Sequence, residues 1–180
     1  MNPFDSAVMD FIQSHCHNPV TDAIFPAVTY LGESGIFWIL LSLLLILLGK
    51  KRGWRETGVI MLFAMLLGLL IGEVTLKNIV CRPRPFQLIS RDIRLLIPPP
   101  SGWSFPSGHS CASFAAATAV FLRDRRFGAA ALVLAALIAF SRVFLFVHYP
   151  TDVLAGAALG AICAVGTAAV CSRVMKGRRG

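Results

Sequence analysis

Long apolar runs alternate with short polar segments along this chain, and the pattern predicts membrane-spanning helices. A span needs about 20 apolar residues to cross a hydrocarbon core about 30 Å thick. Five segments reach or approach that length: residues 35–49, 57–80, 107–122, 128–147 and 151–172. The sequence therefore predicts an all-α fold, a polytopic membrane helical bundle.

The first 33 residues follow a different pattern. Apolar side chains recur there at helical spacing between polar ones: Phe4, Ala7, Val8, Phe11 and Ile12. This spacing predicts an amphipathic helix at the membrane surface. Residues 20–31 predict a second short apolar helix, and the sequence leaves open whether it spans. We therefore expect five to six transmembrane helices in one domain, 1–180, with residues 1–33 preceding a core at 34–175.

The composition agrees with a membrane protein. Apolar residues make up 56% of the chain and charged residues 14%, with a mean hydropathy of +0.72, whereas soluble domains carry about 25% charged residues. The net charge of +8 does not indicate nucleic acid, because the basic residues lie between apolar runs instead of forming one stripe. The five cysteines have no metal-ligand spacing, and a Cys16–Cys81 disulfide stays open.

The basic residues also predict an orientation. One end of the predicted bundle carries eleven of the seventeen: Lys50, Lys51, Arg52, Arg55, Arg123, Arg125, Arg126, Arg173, Lys176, Arg178 and Arg179. The positive-inside rule makes that end cytoplasmic, together with the C-terminus of a multi-pass plasma-membrane protein. The extracytoplasmic end carries the other six: Lys77, Arg82, Arg84, Arg91, Arg94 and Arg142.

Basic residues on the extracytoplasmic end need a reason, and phosphate binding supplies one. Three of them, Lys77, Arg84 and Arg142, lie close to predicted helix ends. We interpret Arg82 as a solvated charge. Arg91 and Arg94 are open between contacts to a second phosphate or lipid head groups and plain surface charge.

Three short segments on this end contain the groups needed for phosphoryl transfer. They are Lys77 to Pro85, Pro106 to His109, and Ser141 to Asp152. Arg and Lys hold phosphate oxygens, and the N–H groups at a helix start attract an anion. Two histidines supply a nucleophile and an acid. A carboxylate four residues after a histidine can orient its ring.

These segments resemble the K-x6-R-P, P-S-G-H and S-R-x5-H-x3-D signature of the type 2 phosphatidic-acid phosphatases. That superfamily also includes vanadium haloperoxidases and some soluble acid phosphatases. Every signature position is filled between residues 77 and 152. The resemblance implies that His148 forms a phosphohistidine, that Asp152 orients it, and that His109 acts as acid and then base. It implies a phosphate cradle made of Lys77, Arg84, Ser107, Gly108 and Arg142, with no metal and no cofactor.

The expected function is hydrolysis of a lipid phosphate or diphosphate within the membrane. Undecaprenyl diphosphate ranks first, ahead of phosphatidylglycerol phosphate and phosphatidic acid. Two alternatives stay open: a phosphotransferase that passes the phosphoryl group to another lipid or sugar, and a non-catalytic phospholipid-binding or transport protein. We expect membrane lipids as the surroundings and no nucleic acid partner. The oligomeric state is open.

Overall fold

A computed structural model describes residues 2–49, 52–88 and 95–177. Its helices are α1 (Pro3–His15), α2 (Pro19–Leu31), α3 (Ile36–Leu48), α4 (Arg52–Gly68), α5 (Lys77–Val80), α6 (Pro85–Leu88), α7 (Gly108–Arg123), α8 (Arg125–Phe144) and α9 (Pro150–Gly177). The part of the chain that the structure describes contains no strand. The predicted all-α membrane fold is confirmed.

Capping side chains start several of these helices. The N-cap residues of α1, α2, α7 and α8 are Asn2, Asn18, Ser107 and Asp124. Each side chain accepts a hydrogen bond from a backbone N–H of the first turn, and such a cap stabilises a helix by about 1 kcal/mol. Pro3 and Pro19 follow two of the caps, where the missing proline N–H costs nothing.

Helix α7 lies at the centre of the bundle and packs against α4, α8 and α9. Half of its eight buried positions are alanines: Ala115, Ala116, Ala117 and Ala119. Gly156 and Gly160 of α9 lie against the start of α7, where a Cβ would collide with the carbonyls of Ser107 and Cys111. Small residues four apart permit this close approach of membrane helices.

The predicted count of five to six spans is not confirmed. Three helical segments of the described chain are long and apolar enough to cross a membrane: Gly53–Leu88, Arg125–Phe144 and Pro150–Val174. The pair Pro19–Leu31 and Glu33–Leu48, bent by 41°, adds a fourth if it forms one span. Helices α3 and α7 fall short because 13 and 16 residues extend only about 20 and 24 Å at 1.5 Å per residue.

The segment after α4 departs from α-helical geometry. Residues Leu69–Leu76 form a π-helix that leads into α5. A π-helix closes hydrogen bonds five residues apart, so it turns less per residue than an α-helix. The segment therefore sets the direction in which Glu73 and Lys77 point.

Helix α8 ends earlier than the sequence predicted. The apolar pattern continued to residue 147, but the helix stops at Phe144. Phe146 has a φ of 61°, which an α-helix cannot contain. Residues 145–149 form a loop that is buried throughout, so hydrophobicity alone could not distinguish it from helix.

Helix α1 packs against α8 and α9. Its Met9 and Ile12 side chains are buried against residues 143–149. Phe4 and Phe11, which the sequence pattern placed on the same apolar face, are 52% and 59% exposed. The apolar residues of α1 therefore divide between the protein and its surroundings.

Candidate active site

His148 lies in the buried loop between α8 and α9 and is 2% exposed. The backbone N–H groups of Val147 and His148 both donate to the carbonyl of Arg142, at 3.2 Å each. These bonds fold the loop back over the end of α8. The imidazole is therefore held by its own backbone as well as by its neighbours.

Arg84 joins His148 to two other parts of the chain. Its Nη1 donates to Val147 O at 2.9 Å and lies 3.1 Å from His148 Nε2. Its other nitrogens donate to the carbonyls of Gly102 and Ser101 at 3.0 Å. A guanidinium has no acceptor, so Nε2 of His148 must accept and the ring proton must lie on Nδ1. Nε2 is thus the unprotonated ring nitrogen, and its lone pair accepts the Arg84 N–H.

Asp152 faces the other ring nitrogen. Its Oδ2 lies 3.6 Å from His148 Nδ1 and accepts hydrogen bonds from the Ser104 hydroxyl and from Tyr149 N. Ser104 Oγ is also 3.4 Å from His148 Nδ1. Both Asp152 and Ser104 are fully buried. The carboxylate is therefore fixed on the proton-bearing side of the ring.

Burial lowers the pKa of His148 to about 3. That value already includes the effect of the Arg142 and Arg84 guanidinium groups, which also lower the pKa, and of Asp152, which opposes them. The ring is consequently neutral near pH 7, the state in which a histidine nitrogen can act as a nucleophile.

His109 and Arg142 line one cavity together with Arg84 and His148. His109 Nε2 is 3.5 Å from Glu33 Oε2 and makes no hydrogen bond within the described residues. Arg142 Nη1 donates to the hydroxyl of Thr29 at 2.7 Å, whereas its buried Nε has no described partner. A buried guanidinium with unused donors is suited to binding an anion.

Lys77 is paired with Glu73, which lies four residues before it. Its Nζ lies 2.7 Å from both carboxylate oxygens, which leaves a third N–H for another acceptor. A Cβ on Gly108 would collide with the Glu73 carboxylate. Glycine at position 108 thus lets the Glu73–Lys77 pair lie against the start of α7.

Ser107 is placed differently from the sequence prediction. Its backbone N–H donates to the carbonyl of Asp152 at 3.0 Å, and its hydroxyl accepts from Ser110 Oγ. Ser107 is fully buried and does not line the cavity, whereas Gly108 does. Its N–H is occupied because α9 starts against this turn. Ser107 therefore contacts the backbone of α9 at Asp152 and not the cavity.

The other candidates except Asp152 line one cavity of about 680 Å³. Its polar end contains Glu33, Glu73, Lys77, Arg84, His109, Arg142 and His148. Its apolar end lies between α3, α4 and α7 and contains Ile39, Leu62, Met65, Leu66, Leu69 and Ala112. The cavity can therefore accept a molecule that is anionic at one end and apolar at the other.

Residues 57–176 match the family model of the PAP2 superfamily. The chain belongs to this superfamily. The match includes all three signature segments and every residue of the cavity's polar end except Glu33.

Named relatives of this PAP2 chain include phosphatases of lipid phosphates. It is 31% identical over 134 residues to the undecaprenyl-diphosphatase of Sulfolobus acidocaldarius, covering 74% of this chain and 64% of that one. It is 36% identical over 159 residues to the decaprenylphosphoryl-5-phosphoribose phosphatase of Mycobacterium tuberculosis, covering 86% and 84%. The chain thus spans slightly less than two thirds of the Sulfolobus relative.

Two solved structures share the fold over nearly the whole chain. Aquifex aeolicus LpxE superposes with a TM-score of 0.77 at 29% identity, covering 93% of this chain and 98% of that one. The PAP2-type phosphatidylglycerolphosphate phosphatase from Bacillus subtilis gives 0.74 at 26% identity, covering 97% and 89%.

The interpretation of Arg82 as a solvated charge is wrong. Its guanidinium lies between the carboxylates of Asp152 and Asp5, at 2.6 and 2.7 Å. Arg91 and Arg94 lie outside the described residues. Arg82 is therefore held by two carboxylates and does not line the cavity.

Sequence reasoning also missed polar residues around the site, namely Asp5, Thr29, Glu33 and Ser104. They come from α1, α2 and two loops, so no local periodicity marks them. The one signal for Asp5 in the sequence is its position directly beside the apolar Phe4 in the helical pattern. A carboxylate is costly to bury there unless it is paired.

The described residues contain neither a metal-ligand cluster nor a disulfide. No group of three or more His, Cys, Asp or Glu among the described residues could hold a metal ion. All five cysteines are free thiols, which answers the open question about Cys16 and Cys81.

Proposed function

We propose that this PAP2 protein is an integral membrane phosphatase that hydrolyses a lipid phosphate or diphosphate through a phosphohistidine on His148. The observation that carries the proposal is the cavity. The unprotonated Nε2 of His148 lies beside Arg84 at its cationic end, and an apolar arm of the cavity is lined by residues of α3, α4 and α7.

The arm narrows the class of substrate. A soluble phosphate ester would have no use for an apolar arm formed by Ile39, Leu62 and Leu66. Exposed leucines on α3 and α4 place the arm beside surfaces suited to hydrocarbon, among them Leu40 and Leu67 at 60% and 40% exposure. A lipid can keep its chain in this arm while its phosphate reaches the histidines.

The first chemical step transfers the phosphoryl group. Nε2 of His148 attacks phosphorus, and the bond from phosphorus to the leaving oxygen breaks. His109 donates a proton to that oxygen, so the alcohol or phosphate leaves neutralised. Asp152 holds the Nδ1 proton and stabilises the positive charge on the substituted ring. Lys77, Arg84 and Arg142 bind the phosphoryl oxygens, with the N-terminal turn of α7 at Gly108 beside them.

The second step hydrolyses the intermediate. His109, now neutral, takes a proton from water, and the resulting nucleophile attacks phosphorus. The bond from phosphorus to Nε2 breaks, inorganic phosphate leaves, and His148 is regenerated. Neither step needs a metal, because the three cations balance the charge of the transferring group.

Undecaprenyl diphosphate remains the first candidate substrate. Two curated relatives are named for undecaprenyl or decaprenyl lipids, which supports an isoprenoid tail. Phosphatidylglycerol phosphate, named for the Bacillus subtilis structure, and phosphatidic acid follow. We further propose that the site faces the extracytoplasmic side of the plasma membrane.

Release of inorganic phosphate from a panel of purified lipids tests the proposal. The panel contains undecaprenyl diphosphate, undecaprenyl phosphate, phosphatidylglycerol phosphate and phosphatidic acid. We expect stoichiometric phosphate release that persists in EDTA, acid-labile phosphate on the protein, and loss of both in His148→Ala. Activity retained in His148→Ala would contradict the mechanism, and phosphate recovered on another lipid would indicate a phosphotransferase.

Cysteine labelling tests the orientation. Pro99 is exposed beside the site, and Ser172 is exposed near the opposite end of α9. In a background without native cysteines, a membrane-impermeant maleimide should label Pro99→Cys in intact cells. It should label Ser172→Cys only after permeabilisation. The reverse pattern would invert the topology.

A further inference from the structure

A buried carboxylate on the N-terminal helix connects α1 to the site. Asp5 is 0% exposed, although the rest of α1 is amphipathic. Its Oδ1 accepts from Thr151 N at 2.9 Å. Its Oδ2 accepts from Thr151 Oγ1 and Arg82 Nη2 at 2.8 and 2.7 Å. Burying a charge so completely is unfavourable unless ion pairs and hydrogen bonds compensate for the lost hydration.

Arg82 lies between this carboxylate and Asp152. Its Nη1 donates to Asp152 Oδ1 at 2.6 Å, and its Nη2 donates to Asp5 Oδ2. The guanidinium also lies over the Tyr149 ring, 3.8 Å from its centroid. The two oxygens of Asp152 are therefore divided: Oδ1 is held by Arg82, while Oδ2 faces His148.

The charges of Asp5, Arg82 and Asp152 together determine the electrostatic potential at His148. Arg82 alone would neutralise Asp152 and so weaken its support for a positive imidazole. Asp5 returns one negative charge, so Asp5, Arg82 and Asp152 together carry the charge of a single carboxylate. Because both carboxylates are fully buried and Arg82 is only 22% exposed, solvent screens this compensation less than it would at the surface.

We infer that Asp5 and Arg82 are positioning residues, which hold Asp152 in place and keep its negative charge available to His148. This inference rests on the proposed function. It makes α1 part of the active site, although neither Asp5 nor Arg82 lines the cavity. Met9 and Ile12 pack the same helix against residues 143–149. The Asp5–Arg82–Asp152 ion pairs and these apolar contacts therefore stabilise the same interface.

Steady-state kinetics of Asp5→Asn on the best lipid of the panel test the inference. We expect kcat to fall at least tenfold while KM stays within twofold, because the variant leaves the cavity lining unchanged. Formation of phosphohistidine should slow by the same factor as kcat. Asp22→Asn is the control, since Asp22 is a helical carboxylate paired with His17, and neither residue lines the cavity; it should leave kcat unchanged.

A double variant separates electrostatics from simple loss of structure. Arg82→Gln can still donate to Asp152 but carries no charge. Adding it to Asp5→Asn restores a single net negative charge, so kcat should recover part of the loss. A purely structural role predicts that the second substitution lowers kcat further, and that result would overturn the inference. So would an Asp5→Asn enzyme with unchanged kcat.

If Asp5→Asn does not yield a folded protein, Arg82→Lys decides the question. Lysine keeps the charge but cannot bridge two carboxylates as the planar guanidinium does. Reduced kcat at unchanged KM supports the inference, and wild-type kcat overturns it. A wild-type protein inactive on every lipid would overturn the proposed function as well, whereas an active wild type with normal variants would overturn only this inference.

Discussion

The two histidines of the site have unlike surroundings, although each faces a carboxylate. His148 is 2% exposed beside a fully buried Asp152, and its ring contacts Arg84 and Ser104. The side chain of His109 is 15% exposed, and that of Glu33, its partner, is 55% exposed. A nucleophile benefits from a fixed ring, whereas an acid that becomes a base must exchange protons with substrate and water. The buried His148–Asp152 pair, the closed pair, matches the first need. The more exposed His109–Glu33 pair, the open pair, matches the second.

Replacing the buried carboxylate should have the largest effect. In Asp152→Asn the amide can donate to Nδ1 and thereby favour the wrong tautomer of His148, with its proton on Nε2. We expect kcat to fall by about 10³–10⁴, measured as phosphate release. Asp22→Asn serves as the control, and a loss below tenfold would mean that the closed pair is not needed for attack.

Replacing the open histidine should cost less and should depend on the leaving group. We expect His109→Asn to lower kcat on a lipid phosphate by about 10²–10³, as for loss of a general acid. With 4-nitrophenyl phosphate, whose leaving group needs no proton, phosphohistidine formation should be nearly normal. Equal losses of that step with both substrates would contradict an acid role.

The exposed carboxylate should contribute least to the rate. Glu33→Gln removes a charge that solvent screens, and exposed pairs contribute little. We expect kcat to change by less than about tenfold, with the difference shrinking at high salt as screening increases. A loss of a hundredfold that is independent of salt would show that Glu33 acts as closely on His109 as Asp152 does on His148.

The protonation state of His148 can be measured directly, without an activity assay. Its pKa is lowered to about 3, so the folded ring should stay neutral at pH 5, while an unfolded histidine titrates near 6.5. Nitrogen-15 NMR of histidine-labelled protein should therefore show an unprotonated His148 ring at pH 5, assigned by its absence in His148→Ala. The unfolded chain binds the extra proton, so stability is lost as pH falls below about 6.5. A protonated His148 at pH 5 would contradict this account.

Much of the fold and site could be predicted because the signals are local. Helix α9 carries a long apolar run, and the spacing from His148 to Asp152 places a carboxylate one turn away from the ring. The Glu73–Lys77 pair follows from the same helical geometry. Such features need only neighbours along the chain.

The errors concern contacts between distant segments. Asp5 and Arg82 are 77 residues apart and Arg82 and Asp152 are 70 apart, so no periodicity reveals that they pair. The assignment of Ser107 to the phosphate cradle stays a prediction, but the hydrogen bond from its N–H to the carbonyl of Asp152 could not be foreseen from its place at a helix start. The loop at 145–149 is as apolar as a helix, and only its backbone reveals the turn.

The π-helical segment Leu69–Leu76 has a consequence for how the PAP2 signature tolerates changes in length. Because this segment turns less per residue than the helix before it, the direction of Lys77 depends on the number of residues between Arg52 and that lysine. Deleting one residue within the segment would let it relax to ordinary α-helix, and Lys77 would keep nearly the same direction because the wider turn takes up one extra residue. Deleting one residue from α4 instead would rotate Lys77 by about 100° relative to the helix before the deletion, and an alignment showing an intact signature would not reveal it.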